Sequence, residues 1–368
     1  MSELDDRSIG GLARGLSRWF AAEARDLAWR RTRDPYAIWV SEIMLQQTRV
    51  ETVERYWPRF LARFPDVASL AAADEDAVLE QWSGLGYYRR ARLLHQGAKH
   101  VHGALGGELP RSVSGLRAIP GIGRYTAGAI ASIAFDEQAA LVDGNVARVH
   151  SRLAALVDPK AQDAKHEGHW RFVERVLERG SPRVLAQALM ELGATVCTPR
   201  SPNCGGCPVS RGCRARAEGV QAAIPAVRIK KPAAELHYFA VGVRSGDRLL
   251  MERRGDTGLL AGVWCLPLVA RDPRRTVEAQ RDEVAAGIGG LLGVKVSLGE
   301  GELGVVKHVF SHRVWHVVVW EGRLARRVKI AGRRDGLRLG WSVGGVMPEG
   351  GVPTLTRKLL AALPATTP

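Results

Sequence analysis

Apolar positions recur at helical spacing through the first part of the chain. Leu12–Phe20, Ile38–Leu45, Val53–Phe64, Ala77–Trp82, Ala127–Phe135, Val146–Leu156, Phe172–Leu177 and Val184–Leu192 each set large side chains three and four residues apart, which lines one face of a helix. Pro35, Pro65, Pro110 and Gly180-Ser181-Pro182 punctuate these stretches, as helix breakers do. No strand-like alternation interrupts them, so residues 10 to 216 are predicted to be mostly helical. The pattern changes after Cys213. Gly219, Pro225, Pro232 and the Lys230-Lys231 pair predict a linker over 217–233. Beyond it, Leu236–Val243, Leu249–Met251, Val294–Leu298 and Val314–Trp320 are β-type runs, with helical spacing at Val277–Leu292 and Thr354–Leu363. The expected organisation is an all-α domain over 1–216, the linker, and an α+β domain over 234–368. No internal repeat is visible.

Composition narrows the function. The 368 residues carry 53 Lys and Arg against 38 Asp and Glu, a formal charge of +15. A surplus of this size points to a polyanion partner, held by contacts that weaken with salt. Arg far outnumbers Lys, and a genome biased towards Arg codons would give the same surplus. No apolar stretch approaches membrane-spanning length. The first twenty residues mix Glu3, Asp5 and Asp6 with Arg7, Arg14 and Arg18, unlike a secretory or transit signal. A soluble protein of the cytoplasm, associated with the nucleoid of a bacterium, is expected, with no membrane contact.

Four of the five cysteines fall in one run, Cys197-x6-Cys204-x2-Cys207-x5-Cys213. Four thiolates match the ligand count of an iron–sulfur cluster. The spacing is neither that of a zinc ribbon nor the ferredoxin run, although zinc also accepts four thiolates. Disulfides are disfavoured by the absence of a signal peptide and by the odd cysteine, Cys265. Arg200, Arg211, Arg214 and Arg216 flank the run, so the loop presents cations.

Three further features carry chemistry. Residues 112–128 hold Leu116-Arg117-Ala118-Ile119-Pro120-Gly121-Ile122-Gly123-Arg124-Tyr125-Thr126-Ala127. Gly121 and Gly123 permit a tight turn that exposes N–H groups at a new helix, a cradle for phosphate; an ordinary capped turn has the same look. Glu42 sits among Trp39, Val40, Ile43 and Leu45. Desolvation there would raise its pKa, although most glutamates on helices face water. Asp143 precedes a helix starting near Asn145, where it either caps the helix or is held ionised by the helix-end N–H groups.

The hairpin, the Leu141-Val142-Asp143-Gly144-Asn145 segment and the four-cysteine run together resemble the endonuclease III superfamily of DNA glycosylases. Within it, Trp39-Val40-Ser41-Glu42-Ile43-Met44-Leu45-Gln46-Gln47-Thr48 and Trp82-Ser83-Gly84-Leu85-Gly86-Tyr87-Tyr88 resemble the adenine DNA glycosylases of the MutY type. The resemblance spans about residues 20–215 and resumes near 236. It implies a helix-hairpin-helix core with a [4Fe-4S] cluster on Cys197, Cys204, Cys207 and Cys213. It implies that Glu42 protonates adenine at N7 and later helps activate water. Asp143, oriented by Asn145, faces the cationic sugar, directly or through a transient covalent adduct. Glycosylases of this superfamily that also cut the strand carry a Schiff-base lysine at the hairpin position held here by Tyr125, and a phenol forms no Schiff base. A monofunctional enzyme is therefore expected.

The extruded base would meet Arg30 and Gln187, while Gln47 and Tyr87 enter the stack, with Tyr88 turned inward and Trp82 in the core. Leu259-Leu260-Ala261-Gly262-Val263-Trp264 and His308-Val309-Phe310-Ser311-His312 resemble the Nudix-like domain of these enzymes. There Phe310 would wedge beside 8-oxoguanine, Ser311 would bond its edge and His312 would contact backbone or base; a plain exposed hairpin turn is the alternative. Arg281-Asp282-Glu283 lacks the further carboxylates that a magnesium-dependent Nudix hydrolase needs, so no pyrophosphatase activity is expected. The implied substrate is duplex DNA with adenine opposite 8-oxoguanine or guanine, bound by a monomer. A bifunctional glycosylase/lyase of the endonuclease III type and a non-enzymatic iron–sulfur DNA-binding protein are the alternatives.

Overall fold

A computed structural model describes residues 5–226, 232–255, 257–326, 328, 333–334 and 337–364. The helical part comprises α1 (Asp6–Glu23), α2 (Pro35–Leu45), α3 (Val50–Arg63), α4 (Val67–Ala72), α5 (Glu75–Gln81), α6 (Arg89–Ala104), α7 (Val113–Ala118), α8 (Arg124–Phe135), α9 (Gly144–Leu153), α10 (Glu167–Leu177), α11 (Pro182–Thr195) and the short α12 (Arg214–Ala217). Caps explain several starts. Asp34 accepts from Tyr36 and Ala37 N–H while Pro35 opens α2, and Ser181 accepts from Val184 N–H ahead of Pro182; both pairings suit the first helical turn.

Two helices are apolar all round and form the centre. Every residue of α2 from Tyr36 to Met44 is buried, as is every residue of α8 from Thr126 to Ile133, and the two pack together. Helix α11 lies against α1, α8 and α9, in a core that includes Leu16, Ile38, Val146, Val173 and Leu189. The approach of α11 to α9 needs a residue without a side chain: a Cβ on Gly193 would stand 2.6 Å from Asn145 Cβ. Between α7 and α8 runs the hairpin turn. Gly121 there has a φ of +84°, a region open to glycine at no cost.

The structure divides into two units, Met1–Ala72 with Leu93–Ile229, and Ala73–Arg92 with Lys230–Pro368. Residues 73–92, which read as part of the helical domain, group with the second unit. Polar bonds account for this: Arg253 donates to Asp76 at 2.7 Å, Arg92 to the Ala261 carbonyl at 2.7 Å, and Val352 N–H to Ser83 Oγ at 2.8 Å. Lys230 and Lys231 of the expected linker lie outside the described residues.

The second unit is built on β1 (Ala234–Ser245), β2 (Arg248–Arg253), β3 (Trp264–Cys265), β4 (Leu268–Ala270), α13 (Arg281–Leu292), β5 (Val296–Leu298), β6 (Gly304–Val309), β7 (Arg313–Leu324), β8 (Arg333–Arg334), β9 (Leu337–Val343) and α14 (Thr354–Ala361). The main sheet runs β5-β7-β1-β2-β9-β8, with β3 on β2, β4 on β1 and β6 on β7. Its centre is the parallel pair β1/β7, in register from Ala234 opposite Arg313 to Arg244 opposite Arg323. Alternation along β1 splits its side chains between two cores. Phe239, Val241 and Val243 face Ile288 of α13 and Trp320; Ala240 joins Met251, Leu355 and Leu359 under α14. Helices on both faces of a mixed sheet make the α+β layer expected from the sequence.

Candidate active site

Glu42 is carried inward by α2 because the helix around it is apolar on every side. Only 5% of it is exposed. Burial is the main cause that pushes its carboxyl from an ordinary 4.5 up to about 7, helped by the charge of Asp143 and opposed by a bond from Tyr125 and by Arg30. The Tyr125 hydroxyl donates to Glu42 Oε2 at 2.9 Å and lies 3.3 Å from Met190 Sδ. Tyr125 stands in the first turn of α8, one residue past the hairpin. Burial raises its own hydroxyl well above the usual range, so it is a neutral donor.

Asp143 caps α9. Its Oδ1 accepts from Asn145 N–H at 2.9 Å and Val146 N–H at 2.8 Å, and its Oδ2 accepts from Asn145 Nδ2 at 2.8 Å. Burial lifts this carboxyl above its ordinary value, and the cap bonds and Arg148 pull it part of the way back. Capping and site chemistry are thus one arrangement, as the sequence left open.

A cavity of about 590 Å³ gathers the expected residues of the first unit: Glu42, Tyr125, Asp143, Asn145, Arg30, Gln47 and Gln187 all line it. Gln47 is exposed and left-handed, with φ at +59°, a conformation uncommon outside glycine and one that marks functional sites when held. Gln187 is buried and spends its amide on the Arg183 carbonyl at 3.0 Å. Arg30 lines the cavity with its guanidinium already committed to Glu191 and to the Arg25 carbonyl.

Arg124 is likewise committed. It pairs with Glu167 and its guanidinium lies 3.7 Å from the Trp170 ring centroid. The start of α8 at Gly123 carries no side-chain cap, and Gly121 and Gly123 leave the turn slim. Tyr87, Phe310, Ser311 and His312 belong to the second unit. Tyr87 is 47% exposed and left-handed at φ +50°, whereas Tyr88 and Trp82 are buried. The Tyr87 hydroxyl is hydrogen-bonded to Ser311, in the turn between β6 and β7. Phe310 packs edge-on against His308 and Trp315, with centroids 4.6 and 5.0 Å away.

The four cysteines of the run are half-buried free thiols, and Cys197, Cys207 and Cys213 pack on the helical core. They lie in one another's field, and burial first, then this mutual effect, pushes Cys207 up to about 11 and Cys213 upwards. Four soft donors that oppose one another's charge until a cation joins them suit an iron–sulfur centre. Two arginines of α9 hold the loop. Arg152 donates to Cys197 Sγ at 3.3 Å and to the Thr198, Pro199 and Ile224 carbonyls. Arg148 donates to the Cys197 carbonyl at 2.8 Å and to Asn145 Oδ1 at 2.8 Å.

Sequence reasoning missed Arg25, Arg148, Met190 and Glu191. Glu191 had a usable signal, a carboxylate inside an apolar helical run, which is the same signal that singled out Glu42.

Comparison with known proteins follows this geometry. Residues 40–173 match the family described as HhH-GPD superfamily base excision DNA repair protein, residues 197–213 match the iron–sulfur binding domain of endonuclease III, and residues 238–362 match the NUDIX domain. A thermostable thymine-DNA glycosylase superposes with a TM-score of 0.54 at 27% identity, covering 58% of this chain and 98% of that one. Endonuclease III from a non-covalent DNA complex shares the fold at 0.51 and 21% identity, covering 60% and 100%. The fold and site define a DNA-binding base-excision glycosylase, a hydrolase of N-glycosyl bonds, with an iron–sulfur segment and a Nudix-like domain.

The adenine DNA glycosylase of Mus musculus is 36% identical over 364 residues, 84% of this chain and 70% of that protein. That of Homo sapiens is 36% identical over 351 residues, 81% and 64%, and that of Buchnera aphidicola (strain Sg) is 32% identical over 253 residues, 68% and 73%. The chain belongs to the adenine DNA glycosylase family. No helix among the described residues is long and apolar enough to cross a membrane.

Proposed function

We propose that the protein removes adenine from DNA where it stands opposite 8-oxoguanine or guanine, and leaves the strand intact. The observation that carries this is the pairing of a buried and a half-buried carboxylate in one cavity with unequal hydrogen bonding. Glu42 receives one donor, Tyr125, and rests near pKa 7; Asp143 receives three. Two carboxyls with unlike partners can divide acid and anion roles. The protonated Glu42 gives its proton to N7 of the extruded adenine. The N-glycosidic bond breaks with its electrons passing to the base, and the ionised Asp143 faces the cationic sugar. Water attacks the sugar and returns a proton to Glu42. Asn145 fixes the Asp143 carboxylate. Tyr125 orients Glu42 and offers no amine, which supports base removal without strand cleavage.

Arg30 and Gln187 form the base pocket, Gln47 and Tyr87 fill the opened stack, and Gly121 and Gly123 admit a phosphate. Phe310, Ser311 and His312 read the opposite base. Cys197, Cys204, Cys207 and Cys213 hold the [4Fe-4S] cluster, which when bound ties the basic loop into one shape. The protein acts as a monomer on cellular DNA, in the cytoplasm at the nucleoid. Excision is tested on matched duplexes that differ only in the base opposite adenine, with alkali to reveal abasic sites. Release from A:8-oxoguanine and A:G, and no borohydride-trapped adduct, are expected. No adenine release, or a trapped adduct in high yield, rejects the reading.

A further inference from the structure

Glu191 belongs to α11 and is 1% exposed, yet it carries a full charge. Its Oε1 accepts from Arg25 N–H at 3.1 Å and Arg25 Nε at 2.8 Å; its Oε2 accepts from Arg25 Nη2 and Arg30 Nη2, both at 2.7 Å. Arg30 is further held by the Arg25 carbonyl at 2.9 Å and by the Phe20 ring, 5.2 Å away. Arg25, Leu27, Trp29, Arg30 and Glu191 line the same cavity as Glu42. We propose that Glu191 is a positioning residue of the excision reaction: it clamps Arg25 and Arg30 to the cavity wall and offsets part of their charge there, so that Glu42 faces a paired guanidinium and not a free one.

A carboxyl is useful as an acid near neutral pH only while its surroundings disfavour its ionised form. Glu42 is faced by Tyr125 from α8, by Asp143 from the start of α9, and by Arg30 from the segment before α2. Tyr125 is a neutral donor, Asp143 opposes ionisation, and Arg30 favours it. A free guanidinium close to a carboxyl typically lowers its pKa by about 1 to 3, enough to strip Glu42 of its proton at pH 7. Glu191 limits this, because Arg30 Nη2 ends on its carboxylate and Arg30 Nη1 on the carbonyl of Arg25, which Glu191 also holds. Bidentate guanidinium–carboxylate geometry also fixes direction as well as charge, so the wall from Arg25 to Arg30 keeps its shape when a base enters.

This inference rests on Glu42 as the acid, and its test separates the two. Single-turnover excision of adenine opposite 8-oxoguanine is followed from pH 5.5 to 8.5 for the full-length protein. Wild type is expected to lose rate above about pH 7. Glu191→Gln is expected to lose about tenfold at pH 8 while staying within about threefold of wild type at pH 5.5, since the alkaline limb moves down by about one pH unit. Glu191→Asp, which keeps the charge, is expected to keep the limb. Should Glu191→Gln not fold, the double variant Glu191→Gln/Arg30→Gln leaves no unpaired partner at Arg30, and with the guanidinium that lowers Glu42 removed its limb is expected at or above the wild-type position. An equal loss at both pH values in Glu191→Gln, or a limb displaced to lower pH in the double variant, overturns the positioning role alone. A wild-type profile without an alkaline limb overturns Glu42 as the acid.

Discussion

Replacing Glu42 by Gln keeps the shape of the side chain and removes its proton chemistry, so it isolates the acid. Two magnitudes follow from the structure. A positioned general acid contributes about 10² to 10⁴ in rate, and single-turnover excision should fall by at least about 10² at pH 6.5. The wild-type rate should decline tenfold per pH unit above about 7, where Glu42 loses its proton, and the variant's residual rate should be flat there. The second magnitude is stability. The pKa rises on folding from 4.5 to about 7, so the folded chain holds this proton more tightly than the unfolded chain. The stabilisation is fully present below pH 4.5 and is lost as pH rises to 7. At about 1.4 kcal/mol per pH unit, the whole effect is about 3 kcal/mol, and about 2.5 kcal/mol of it falls between pH 5 and pH 8. Glu42→Gln escapes this loss. Urea melts of both proteins at pH 5 and pH 8 should show the variant gaining on wild type by that amount as pH rises. A variant that excises within tenfold of wild type, or whose relative stability is the same at both pH values, would refute the assignment of a buried, proton-holding Glu42.

Four other substitutions follow from the same geometry. Asp143→Asn keeps a good helix cap, so its melting should change by no more than about 1 kcal/mol while excision falls at least about 10²-fold and DNA affinity in a gel-shift assay holds. Tyr125→Phe deletes the one donor that lowers Glu42; the alkaline limb of the rate profile should move to higher pH. Gly193→Ala places a Cβ 2.6 Å from Asn145 Cβ, an overpacking worth about 1 to 3 kcal/mol, and thermal melting should report it together with slower excision. Arg152→Met leaves the Thr198, Pro199 and Ile224 carbonyls without this donor, at about 1 to 3 kcal/mol for the buried Ile224 carbonyl if left unpaired; iron content and visible absorbance of the purified protein should drop.

Much of the helical unit was legible because its helices bury large side chains at regular spacing. Helix α6 was not. Its buried face is Ala91, Leu94, His95, Ala98 and Val101, set among six further charged or imidazole side chains, so small residues do the packing and the apolar signal is thin. In the second unit, β1 and β7 stood out since their central strands are buried on both faces. Strands β6 and β9 did not. Exposed Val305 and Val309 alternate along β6 with half-buried neighbours, and Gly340 interrupts β9. The second-unit membership of residues 73–92 rests on single arginine and serine bonds, which leave no trace in periodicity.

The site shows where the limit lies. Glu42 and Glu191 have the same sequence signature, a carboxylate in an apolar run of a helix, and both end almost wholly buried. Yet one rests at about 7 and the other at about 2. Burial acts alike on both, so the difference comes from partners: a single phenol on Glu42, four donors from Arg25 and Arg30 on Glu191. Those partners come from α8 and from the segment ahead of α2, and nothing local to either glutamate names them. A sequence can therefore flag a buried carboxylate, but whether it becomes an acid or an anchor is decided by which distant cations the fold delivers.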